Sequence, residues 1–216
     1  MVETLKSIPF LNRTVHRIKL RWERLNAFRT LRRRIHQPPV KIIIGSSGTK
    51  YAGWLPTEVQ FLNLLVDADW KRCFGDVLID AMLAEHVWEH LDRQDGQKAA
   101  EQCFSFLRPG GYLRVAVPDG FHPDPRYIEH VRIGGSGPGA DDHKMLYTTQ
   151  SANEVFSSAG FEVEFLEYFD ESGQFHATDW NPDDGHIQRS RRFDKRNKGG
   201  QLLAYTSLIF DAKKPK

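Results

Sequence analysis

Short apolar runs the length of buried strands alternate along the chain with longer stretches whose apolar residues recur every three or four positions. Val40-Lys-Ile-Ile-Ile44, Val77 to Leu83, Tyr112 to Val117 and Phe161 to Tyr168 are of the first kind. Leu91 to Leu107, with Ala99, Ala100, Cys103 and Phe104 at helical spacing, and the stretch holding Ala152, Val155, Phe156 and Ala159 are of the second. Two strand-like runs about one helix apart form a βαβ crossover, because parallel neighbours cannot be joined by a tight hairpin. The clearest such unit runs from Val77 to Asp119, with Pro109-Gly110-Gly111 turning the chain into its second strand. Ser151-x-x-Glu154 predicts a capping box for the next helix, and Gly160 predicts its stop. A last strand is expected over Gln201 to Phe210. It follows residues 171–200, which show no periodicity and are too long for a passive hairpin loop.

Composition sets the scale of this pattern. With 216 residues, 40% hydrophobic and 27% charged, the chain can bury one substantial core. No apolar run reaches membrane-spanning length, and the first 30 residues lack the apolar core of a secretory signal, so a soluble cytoplasmic protein is expected. Cys73 and Cys103 match no metal spacing and read as reduced, packed thiols.

Charge changes the picture at one end. The net charge of +2 hides eleven Lys/Arg against two Glu in residues 1–41, which leaves the remainder net negative. Residues 1–39 therefore read as a basic helical arm, in which Leu20, Leu25, Phe28, Leu31 and Ile35 recur at roughly helical spacing before Pro38-Pro39. Such an arm either makes peripheral contact with an anionic inner membrane surface or nucleic acid, or packs as a solvated helix on the outside of the domain.

Candidate chemistry gathers at strand ends. The run Val40 to Ile44 stops at Gly45-Ser46-Ser47-Gly48-Thr49, a turn that lets backbone N–H groups approach a ligand closely. It is neither G-x-G-x-x-G nor a G-K-[ST] phosphate loop, and Gly53 and Pro56 leave little room for a helix after it. Glu58 stands where an acidic side chain near a second strand can accept from ribose hydroxyls. Glu85 and His86 end one strand of the central unit, and Pro118-Asp119 and His122 end the next, at the edge where open α/β sheets bind ligands. His86-Val-Trp-Glu89-His90 also matches H-x-x-E-H, a zinc-peptidase pattern when it lies on a helix. Here it begins at the end of a strand-like run with no evident third ligand, and no bound metal is expected.

Leu83-Ala-Glu-His-Val-Trp-Glu-His-Leu91, followed by Leu107-Arg-Pro-Gly-Gly-Tyr-Leu-Arg-Val-Ala-Val-Pro-Asp119, resembles the fourth and fifth strands of class I S-adenosylmethionine-dependent methyltransferases. The resemblance runs from about Lys41 to Asp211, takes in Gly139-Ala-Asp-Asp-His143 and Asp184-Gly-His186, and is to a group of predicted bacterial methyltransferases of unassigned substrate. It implies an α/β, Rossmann-like doubly wound sheet, mostly parallel with an antiparallel last strand. The methyltransferase domain would occupy 40–216, with an insertion over about 171–200. It further implies S-adenosylmethionine as cofactor, its methionine part held at Gly45, Ser46 and Gly48, its ribose by Glu58, its adenine near Asn63 and Leu64, with Glu85 and His86 beside it. The sequence departs from the commoner motif in having Lys41-Ile-Ile-Ile before G-S-S-G, and in having Asn63 where an aspartate is usual.

Methyl transfer from a sulfonium is an in-line displacement with a neutral leaving group, so alignment supplies most of the acceleration and at most one base is needed. Asp119, His122 and His143 are the catalytic candidates. The insertion carries His176, Trp180, Asp183, Asp184, His186, Arg189, Arg191 and Arg192, an aromatic and polar set that suits a sugar, its arginines a phosphate or carboxylate, or else a folded flap over the sheet. A small-molecule or saccharide acceptor from glycan biosynthesis is expected. Nucleic acid is disfavoured by the acidic edge of Glu85, Asp119, Asp124, Asp141 and Asp142. A non-catalytic binding module that has lost the cofactor is the alternative.

Overall fold

In the computed structural model, residues 25–197 and 205–216 are described. Seven strands form one sheet: β1 (Lys41–Ile44), β2 (Leu55–Pro56), β3 (Ile79–Glu85), β4 (Leu107–Pro118), β5 (Glu162–Phe169), β6 (Phe175–Ala177) and β7 (Ser207–Lys213). Their order is β2-β1-β3-β4-β7-β5-β6. Pairing is parallel from β2 through β4 and antiparallel on both sides of β7 and at the β5–β6 edge, so five strands run one way while β6 and β7 oppose them. The Rossmann-like, mostly parallel sheet and its antiparallel last strand are thus as the sequence implies.

Alternation along the strands divides the core in two. Ile42, Ile44, Met82, Ala84, Val115 and Val117 face one side, where they meet Leu31 of α1 (helical over 25–34) and Ile35 just after it, Trp70 and Phe74 of α2 (Asp67–Phe74), Ala99, Ala100 and Cys103 of α3 (Arg93–Phe106), and Val155 and Phe156 of α5 (Thr149–Ser158). The short α4 (Pro125–Val131) lies between β4 and α5 in the chain. Ile43, Ala81, Leu83 and Ala116 face the other side, where they are covered by Trp180 and Ile187 of the aperiodic insertion. Half of the wrapping is therefore helical and half is an irregular flap. No helix separates β1 from β2, in keeping with Gly53 and Pro56.

Two buried charged groups fasten the flap. Arg114 on β4 forks onto Asp211 of β7, Nε to Oδ1 at 2.8 Å and Nη2 to Oδ2 at 2.9 Å, while its Nη1 donates to the carbonyls of Asn181 and Gly185. Glu167 of β5 accepts from Trp180 Nε1, the Arg191 amide and the Thr206 hydroxyl. Carboxylates removed from water persist only when their lone pairs are met in this way.

Several local expectations need correction. Thr148, not Ser151, caps α5: its hydroxyl accepts from the Ser151 amide, Ser151 answers the Thr148 amide, and Glu154 instead pairs with Arg93. The Pro109-Gly110-Gly111 turn lies inside β4 as a bulge, where pairing jumps from Ile79↔Leu107 to Ala81↔Tyr112. The last strand starts at Ser207; residues 201–204 of its expected span lie outside those described. Of the arm, residues 1–24 also lie outside. From 25 onward it packs on the domain, with Leu31 and Ile35 each 1% exposed and Arg29, Arg33 and Arg34 in solvent. No helix among the described residues is long and apolar enough to cross a membrane.

Both cysteines are buried and unpaired, and burial pushes the Cys73 thiol up to about 11 and that of Cys103 higher still. They behave as small core hydrophobes rather than as nucleophiles.

Candidate functional site

A crevice of about 360 Å³ opens at the carboxyl ends of β1 and β3. These strands are parallel neighbours in register, Ile44 opposite Ala84, so the residues that follow each are delivered side by side. After β1 the chain must turn sharply. It does so with positive φ at Gly45 (59°), Ser47 (46°) and Gly48 (85°). A Cβ at Gly45 would stand 3.0 Å from Val87 Cγ2, so the close approach of the turn to the β3 end requires glycine there. Beside Gly48 there is open space. The turn is tied down by hydrogen bonds from Ser46 N to Thr57 O (2.9 Å) and from Thr57 N to Ile43 O (2.8 Å).

The opposite wall is acidic and imidazole-rich. Glu85 accepts from the backbone amides of Gln188 (3.1 Å) and Arg189 (2.8 Å), which brings the flap to the rim of the crevice. His86 has φ +57°, an uncommon conformation for a residue with a side chain, and its imidazole bridges Glu89 Oε1 (2.8 Å from Nδ1) and the Ser207 hydroxyl (3.1 Å from Nε2). Trp88–His90 is a short 3-10 turn that carries Glu89 and His90 into the crevice. His143, after the turn Ala140–Asp142, reaches the same end. Burial opposes the charge of Glu89, but the adjoining His86 imidazole, which is close enough to pair with it, outweighs this and holds the carboxyl below its ordinary value. Tyr51, across the crevice, has its hydroxyl pushed up to about 12 by burial and by Glu85 nearby, so it remains a donor at neutral pH.

Of the residues singled out from sequence, Gly45, Ser46, Glu85, His86 and His143 line this crevice, with Gly48 in the turn beside it. Glu58 does not. Its carboxylate accepts from the Ser46 hydroxyl and from the Gly48 amide at 3.4 Å, at the edge of the turn. Asn63 and Leu64 also fall outside, in the approach to α2, where Asn63 Oδ1 accepts from the Leu65 amide and the Leu64 carbonyl accepts from Trp70 Nε1.

Two of the three catalytic candidates are likewise occupied elsewhere. Asp119 is fully buried and gives its oxygens to the amides of Phe121 and Phe169; burial raises it to about 6 in spite of those bonds. His122 stacks on Tyr127 at 3.9 Å between ring centroids and accepts from the Asp124 amide, and burial lowers its pKa. Neither borders the crevice. Trp180 is 7% exposed beneath the Arg114 guanidinium, so its ring is not presented to a sugar.

Residues that sequence reasoning did not bring to the crevice are Tyr51, Glu89, His90, Pro138 and Gln188. The H-x-x-E-H spacing marked two of them, with a peptidase helix as the wrong scaffold. Arg189, marked only as a possible anion grip, comes to the rim because Glu85 captures its amide.

No protein-family model matches the chain. A curated relative, a probable S-adenosylmethionine-dependent methyltransferase of Mycolicibacterium smegmatis, is 32% identical over 47% of this chain, and the chain spans about a third (32%) of that protein's length. Among solved structures, a SAM-dependent methyltransferase from Archaeoglobus fulgidus aligns with 88% of this chain and 94% of its own at 15% identity and a TM-score of 0.46. One from Thermotoga maritima aligns with 96% of each chain at 15% identity and a TM-score of 0.45. The fold assignment rests on the strand order itself.

Proposed function

We propose that this chain is an S-adenosylmethionine-dependent methyltransferase acting on a small-molecule or saccharide acceptor. One observation supports the reading most: the adjacent ends of β1 and β3 open on a single crevice with a glycine-containing turn on one side and carboxylates on the other. A ligand bearing a sulfonium and an ammonium group suits acidic walls. The similarity to the probable methyltransferase of M. smegmatis supports the choice of cofactor.

The bound cofactor would supply an activated methyl group. The residues of this chain would position it. The Gly45 to Gly48 turn lets the methionine portion approach the backbone, Arg189 at the rim offers a guanidinium to its carboxylate, and Glu85 retains lone pairs for its ammonium. Glu58, which the family resemblance would assign to the ribose, accepts here from the Ser46 hydroxyl at the crevice turn. Of the three catalytic candidates, His143 is the one at the crevice. Its Nδ1 lies 2.7 Å from the Val131 carbonyl, an acceptor only, so Nδ1 carries a proton and Nε2 is the ring atom that would accept one from an acceptor hydroxyl.

The test is methyl transfer from radiolabelled S-adenosylmethionine into host extracts separated into lipid-linked glycans, small metabolites and RNA. Label in either of the first two fractions, lost with Glu85→Ala, is expected. Label confined to RNA would overturn the acceptor, and label in no fraction together with no cofactor binding would favour a non-catalytic module.

A further inference from the structure

Glu89, His90 and His143 each offer one ligand atom, and these atoms lie within 4.8 Å of one another. They come from two separate loops, the turn after β3 and the turn after α4, so their meeting is a product of the fold and not of local spacing. The geometry points to a divalent transition-metal site at the inner end of the crevice, with Glu89, His90 and His143 as ligands.

Further observations around these three residues carry this. Glu89 is 0% exposed, and while His86 Nδ1 stands 2.8 Å from its Oε1, its Oε2 has no hydrogen-bond partner among the described residues. A buried carboxylate left this way is costly, and an ion would supply the missing partner. His90 Nδ1 is also buried and unbonded; Asp142 Oδ2, at 3.4 Å, belongs to a side chain that is 76% exposed. In addition, the Val131 carbonyl fixes the His143 tautomer, which is the outer-shell contact that metal-binding histidines commonly make. His86, braced between Glu89 and Ser207, would orient the carboxylate in the same manner.

Two imidazoles and a carboxylate suit zinc and its first-row neighbours, while magnesium and calcium prefer all-oxygen sets. Three protein ligands leave coordination positions open, and all three residues line the crevice. If the methyltransferase reading holds, an acceptor oxygen bound there would have its pKa lowered by the ion, and His143 would act as a ligand in place of a base. That consequence rests on the proposed function; the metal site does not.

The full chain, stripped with chelator and checked by circular dichroism, is titrated calorimetrically with Zn²⁺, Co²⁺, Mn²⁺ and Mg²⁺ in the absence of S-adenosylmethionine. One Zn²⁺ or Co²⁺ per chain is expected, with Mg²⁺ weaker by about 100-fold or more and an intense visible Co²⁺ band reporting a low-coordinate protein site. His143→Gln and the near-isosteric Glu89→Gln should each weaken Zn²⁺ by about 100-fold. His176→Gln, at the surface beside Asp170, should leave it unchanged. Absence of stoichiometric binding of any transition ion to the folded wild-type chain would overturn the site, as would unaltered affinity in a folded His143→Gln. A separate S-adenosylmethionine titration reports on the function independently, so the two readings can fail separately.

Discussion

Arg114→Met is expected to destabilise the fold by about 3–5 kcal/mol, the usual cost of stranding one partner of a buried ion pair. The side chains of Arg114 and Asp211 are 4% and 9% exposed, and the guanidinium satisfies both carboxylate oxygens together with two flap carbonyls. Methionine fills comparable volume but donates nothing, so Asp211 becomes an unpaired buried anion and Asn181 and Gly185 lose their donor. Against a total stability of roughly 5–15 kcal/mol for a domain, this is a large share. Urea unfolding reads it as a drop in midpoint at constant slope. The double variant Arg114→Met with Asp211→Leu should be more stable than the single one, because removing both charges also removes the stranded one. A single-variant loss below about 1 kcal/mol would mean that the pair behaves as a solvated surface bridge.

Gly45→Val is expected to weaken S-adenosylmethionine by about tenfold or more, equivalent to at least 1.4 kcal/mol, while the sheet still forms. A β-branched residue at φ +59° is strained in itself, and its Cβ would sit 3.0 Å from Val87 Cγ2, forcing the turn or the β3 end out of place. Gly48→Ala is the matched control. Its φ of +85° carries similar backbone strain, but its Cβ meets nothing within 4 Å. Calorimetric titration of both variants separates strain from displacement: equal losses would show that φ alone matters.

The central βαβ unit was legible because fully buried parallel strands read as unbroken apolar runs, and β3 and β4 are such strands. The two-residue β2 left no pattern to read. The flap was invisible as a sheet cover, since it has almost no regular structure and is held by Arg114, far from it in sequence, and by Glu167 inside a neighbouring strand. Thr148 was missed as a cap because Thr148, Thr149 and Ser151 are all competent and only geometry chooses among them.

At the site, chain order gave the two strand ends but not the direction of the side chains beyond them. Glu58 follows β2 as expected and then turns back onto Ser46. Asp119 and His122 follow β4 as expected and are consumed by Phe121, Phe169 and Tyr127. The H-x-x-E-H spacing did mark a chemically unusual place, but its third partner, His143, arrives from a loop whose course depends on the whole fold.

The claim on which the rest depends is that the crevice between the β1 and β3 ends holds the cofactor. Amide hydrogen exchange of the full chain with and without saturating S-adenosylmethionine tests it most directly. Slowed exchange concentrated in residues 45–49 and 85–90, with the Gln188 and Arg189 amides following, is the predicted result; unchanged exchange there, or protection confined to another part of the sheet, would contradict it.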